Sequence, residues 1–120
     1  MNSPIQTWSQ SDFRARIGDG IVLVEFFAVW CTHSEAQRTI LNRIAAGTHW
    51  GVIVARVDVE AAPAIAAQHA VRDVPTLVLF VDGVEHDRLI GLQSERTLRH
   101  FLGDFASESF GTYDRCPGNQ

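Results

Sequence analysis

Cys31 carries the chemistry that this sequence most visibly offers. It stands in AVWCTHSEA, residues 28–36, after Trp30 and before Thr32, His33 and Ser34. A thiolate, not a thiol, attacks a disulfide or leaves one, so the surroundings that lower its pKa decide its use. The apolar run IVLVEFF, 21–27, ends shortly before it, and SEAQRTILNRIAA, 34–46, repeats Ala36, Ile40, Leu41 and Ile44 at helical spacing. A cysteine between such a strand and such a helix faces the positive end of the helix dipole and unpaired backbone N–H groups, and both favour the thiolate. His33 adds to this when protonated. An inert, buried cysteine fits poorly with Trp30 and the polar Thr-His-Ser that follows.

The elements that must hold this thiol can be read along the chain. Its 120 residues, 46% hydrophobic, suffice for one core, expected over 1–107 with a loose tail over 108–120. The net charge of −4 and the thin spread of Lys and Arg argue against nucleic acid or an anionic membrane as partner. The start, MNSPIQTWSQSDF, lacks the basic and apolar regions of a signal peptide, and no apolar run is long enough to span a bilayer. A cytoplasmic protein is the expectation.

Ser9 or Ser11 caps a short first helix through Phe13, Ala15 and Ile17, stopped by Gly18 and Gly20. VIVARVDV, 52–59, reads as a second buried strand, and AAPAIAAQHA, 61–70, as a short helix with Pro63 in its first turn. TLVLFV, Asp82-Gly83 and VEHDRLIG form a hairpin, and SERTLRHFLGDF, 94–105, a last helix with Leu98, Phe101, Leu102 and Phe105 on its core face. The order is α-β-α-β-α-β-β-α: an α/β fold with a central mixed sheet and helices on both faces. Trp8 and Trp50 read as packing residues. In such folds function gathers beyond the carboxyl ends of the central strands, where Trp30 and Cys31 fall.

Two stretches resemble a known family. VLVEFFAVWCTHS is similar to the strand and active-site segment of thioredoxins, whose Trp-Cys-x-x-Cys opens the second helix, and VRDVPTLVLFVDGVE, 71–85, to their cis-proline segment. The likeness runs from about Val22 to Leu102 and implies the thioredoxin fold, with Gly91 at a further glycine of the pattern. It implies that Val74-Pro75 is cis beside Cys31, and that Trp30, Thr32, Val74, Pro75 and Gly91 line a shallow groove for an extended substrate. Glu25 takes the place of the family's buried aspartate, which handles a proton. Its pKa should be raised by burial, although a partly solvated residue paired with Arg56 would explain it as well.

Ser34 breaks the pattern, because a serine hydroxyl cannot resolve a mixed disulfide. Thr39 also stands where many thioredoxins have a helix-kinking proline. Three readings follow. Cys31 is the single exchange thiol of a monothiol protein, forming mixed disulfides with proteins or glutathione; or Ser34 replaces a cysteine in a Cys-Thr-His-Cys parent; or the fold is a redox-inactive polypeptide-binding module, a co-chaperone or adaptor. In the second case His33 resembles the motif of oxidising relatives.

Cys116, the other cysteine, lies in the tail, where Ala106 to Cys116 spans at most ~35 Å. It is a candidate resolving thiol or, like Cys31, a candidate for a disulfide-linked dimer. His49, His69, His86 and His100 show no metal-site spacing, so neither metal nor cofactor is expected.

Overall fold

The computed structural model describes residues 5–47 and 51–110. Ser9 caps the first helix, α1 (Gln10–Arg16), as its hydroxyl accepts from the Asp12 N–H and the Asp12 carboxylate accepts from the Ser9 N–H. The uninterrupted apolar run forms β2 (Ile21–Phe27), which leads into α2 (Thr32–Gly47). Then follow β3 (Val52–Asp58), α3 (Pro63–Gln68), β4 (Thr76–Val81), β5 (Val84–Ile90) and α4 (Glu95–Phe110).

Two features depart from the sequence reading. A strand of two residues, β1 (Gln6–Thr7), precedes α1 and pairs with β3. Two exposed polar residues have no periodicity to betray them, and only the exposed edge of β3 makes them a strand. The last helix also runs past Phe105 to Phe110. His49, Trp50, Cys116 and the side chain of Phe105 lie outside the described residues.

The sheet order is β1-β3-β2-β4-β5, with β1, β3 and β2 parallel and β4 and β5 antiparallel to their neighbours. β2 is therefore the central strand, buried on both faces, as its near-continuous apolar sequence requires. Its alternation sorts two cores. Val22, Val24 and Phe26 join Trp8, Phe13, Ile65 and Phe80 on one face, under α1 and α3. Leu23 joins Leu41, Ile44, Val54, Leu77, Leu79, Leu98 and Leu102 on the other, under α2 and α4. The Leu98 and Leu102 stripe is thus core, with Phe101 packed beside it.

The Asp82-Gly83 turn joins β4 to β5 with φ of 50° and 87°, both positive as a tight hairpin turn demands. It also anchors the loop before β2: Asp82 N–H donates to Gly20 O at 2.8 Å, and Gly20 N–H to Asp82 Oδ1 at 3.0 Å. A Cβ on Gly83 would meet Gly18 Cα at 3.4 Å. Gly83→Ala is expected to lower stability by about 1–2 kcal/mol, read from urea unfolding, because an L side chain is strained at that φ.

Candidate active site

The site begins where β2 ends. Val59 N–H donates to Phe27 O, extending the β2–β3 pairing, and the chain then turns through Ala28 to Trp30, closed by a Cys31 N–H to Ala28 O bond of 3.1 Å. Glu35 N–H donates to Cys31 O at 3.3 Å, so Cys31 occupies the capping position of α2. Its side chain thereby faces the open N–H groups of the first turn, and it is half-buried.

The Cys31 thiol is held below the ordinary cysteine range, first by the Ser34 hydroxyl bonded to Sγ. The Ser34 backbone N–H adds to this and the His33 N–H adds less, while partial burial and the Glu25 carboxylate oppose it. The His33 contribution is thus a backbone one; its ring is exposed. Ser34 itself is fully buried, and its Oγ accepts from Ala28 N–H at 3.4 Å. The residue that breaks the two-cysteine pattern is therefore built into the thiol's surroundings. Thr39 interrupts nothing: its hydroxyl donates to Glu35 O at 3.4 Å within a continuous helix.

The opposite wall comes from the segment before β4. Val74-Pro75 is cis, and Cys31 Sγ donates to Val74 O at 3.7 Å. Gly91, at φ 91°, donates its N–H to Pro75 O at 2.8 Å. Trp30 is 67% exposed, Val29 65%, Ile90 59% and Leu92 42%. Large apolar side chains left in water beside a reactive group mark a surface that meets other molecules. Thr32, also exposed, opens α2 on the same rim.

Beneath lies an ion pair. Glu25 on β2 and Arg56 on β3 are register partners, and Arg56 Nε donates to Glu25 Oε1 at 2.7 Å. Both are buried. Burial pushes Glu25 up to about 7, against the pull of Arg56. Glu25 Oε2 has no hydrogen-bond partner among the described residues, which suits a carboxyl that holds its proton near neutrality. Arg56 also reaches Ser34 O at 3.5 Å and lies over the Phe27 ring at 3.7 Å. The pairing and the raised pKa thus occur together, and Glu25 is fully buried rather than partly solvated, because β2 is covered on both faces.

Sequence reasoning passed over two site residues. Glu60 accepts from the Trp30 indole N–H at 2.9 Å and so orients the exposed ring. Its signal was its place just past the carboxyl end of the strand beside β2. Gln37, fully buried, takes a core position on α2, whereas Ala36, placed there by spacing, is exposed. Gln37 lies four residues before Leu41, a spacing that could have found it. Among the described residues no three His, Cys, Asp or Glu gather as metal ligands, and no helix is long and apolar enough to cross a membrane.

A strand-turn-helix with its thiol at the helix cap, facing a cis-proline, defines a thiol-bearing thioredoxin fold. The thioredoxin family model matches residues 4–104. The chain is 37% identical to the thioredoxin of Chlamydia trachomatis serovar D over 94 residues, covering 78% of this chain and 91% of that one. It is 31% identical to a Staphylococcus aureus thioredoxin over the same length. A solved thioredoxin variant from Halobacterium salinarum superposes with a TM-score of 0.78 at 31% identity, over 88% of this chain and 96% of that one. This protein belongs to the thioredoxin family, whose general function is thiol–disulfide exchange.

Proposed function

We propose that this protein exchanges disulfides through Cys31 alone, forming mixed disulfides with protein thiols or glutathione. In the step, the Cys31 thiolate attacks one sulfur of a substrate disulfide. The new S–S bond joins Cys31 to that sulfur, the old one breaks, and the other sulfur departs as a thiolate that takes a proton from water. Ser34 offers no second thiol, so the adduct persists until glutathione or another thiol releases it. The observation that carries this reading is the position of Sγ: at the cap of α2, bonded by Ser34 and facing Val74 O across an apolar rim. Trp30, Thr32, Val74, Pro75 and Gly91 would form the groove, with the Val74 backbone pairing an extended substrate. Glu25 is then a proton store beneath the site. The cytoplasm, which keeps thiols reduced, suits a single exchange thiol.

The test is the pH dependence of Cys31 alkylation, together with mass spectrometry after brief exposure to oxidised glutathione. The rate should titrate below the ordinary cysteine range, with a stable adduct on Cys31. Ser34→Ala should move the midpoint upward, since it deletes the hydroxyl that does most to hold the thiol's pKa down. An ordinary midpoint and no adduct would overturn the exchange reading in favour of a polypeptide-binding module.

A further inference from the structure

One buried side chain of α2 takes no part in the exchange step. Gln37 lies one helical turn beyond Ser34, and its amide bonds to the backbone N–H and C=O of a single residue across the site. Gln93 N–H donates to Gln37 Oε1 at 2.7 Å, and Gln37 Nε2 donates to Gln93 O at 3.1 Å. The backbone donor and acceptor leave the amide only one orientation. From there the connection continues to the groove. Gln93 Nε2 donates to Ile90 O at 3.1 Å and to Gly91 O at 3.3 Å, and Gly91 N–H donates to Pro75 O. The helix that carries the thiol is thus tied, bond by bond, to the loop that walls the cis-proline and exposes Ile90 and Leu92.

We propose that Gln37 is a positioning residue that sets the distance between Cys31 and this loop, and so selects extended polypeptide disulfides over small ones. An apolar side chain of the same length would fill the space but leave the Gln93 N–H and C=O unpaired, and the loop would turn toward water. Two bonds, one to each of the peptide groups that flank the Gln93 Cα, fix both the place and the rotation of this backbone. A polypeptide must lie along both walls of the groove, whereas a small disulfide needs only the sulfur. The proposal rests on exchange through Cys31 as balanced above.

The test compares two mixed disulfides with the same nitrothiobenzoate leaving group, one on an extended apolar peptide and one on mercaptoethanol. Their rates with Gln37→Met and with the unaltered chain are followed by release of the coloured thiolate. The peptide-to-small rate ratio should fall about five- to tenfold, the factor expected from losing one or two hydrogen bonds. An unchanged ratio, whatever happens to stability, would overturn the proposal. If Gln37→Met does not fold, Gln93→Ala removes the side-chain bonds to Ile90 O and Gly91 O and should lower the same ratio; no change there also overturns it. An unaltered chain inert to the small disulfide would instead defeat the exchange reading itself.

Discussion

Ser34→Cys is expected to convert Cys31 from a thiol that stops at the mixed disulfide into half of a cycling pair. Ser34 is fully buried with its hydroxyl bonded to Cys31 Sγ, so a sulfur in its place starts within reach of the adduct. The introduced thiolate attacks Cys31 Sγ, forms an intramolecular disulfide and expels the substrate thiolate. Because the two groups are held together, release should be at least about a thousandfold faster than release by millimolar glutathione. The measurement is the lifetime of the glutathione adduct by quenched-flow mass spectrometry, with insulin reduction driven by dithiothreitol as a second readout. A persistent adduct in the variant would mean that position 34 cannot serve as a resolving site, and that Ser34 is not simply a lost cysteine.

The second large effect is a fall in stability as pH rises, caused by Glu25. Its carboxyl is raised from an ordinary 4.5 to about 7 in the folded chain, chiefly by burial. Below pH 4.5 both folded and unfolded chains hold the proton, and its contribution to stability is fully present. Between 4.5 and 7 the unfolded chain releases the proton while the folded one keeps it, so stability falls, by about 3 kcal/mol in all. Above 7 the loss is complete. His69, whose pKa burial lowers, acts in the opposite sense over part of this range, so the readout is a difference. Urea unfolding from pH 4.5 to 8 should show a downward slope in the unaltered chain that Glu25→Gln flattens. Equal slopes in the two would sink the assignment and leave Glu25 as the ordinary partner of Arg56.

Much of the site was legible because it is written in consecutive residues. Trp30, Cys31 and Ser34 sit in one short run, the Asp82-Gly83 pair marks a turn by local backbone chemistry alone, and the family resemblance placed Val74-Pro75 beside the thiol. Glu25 was visible as the one charge in an apolar strand. His33 shows where such reading stops: its type suggested a charged ring acting on the sulfur, while the helix aims its backbone N–H there and leaves the ring exposed.

By itself, then, the sequence determined every element but β1, their alternation and the place of the thiol, since periodicity, glycine turns and helix starts act over a few residues. Tertiary structure alone decided β1, the Trp30–Glu60 bond, the reach of Arg56 from Glu25 to Ser34, and the Gln37–Gln93 clamp. Each joins segments far apart in the chain through polar groups whose partners are set by packing geometry. A polar side chain states what it can bond to, and only the folded chain supplies the group that it meets.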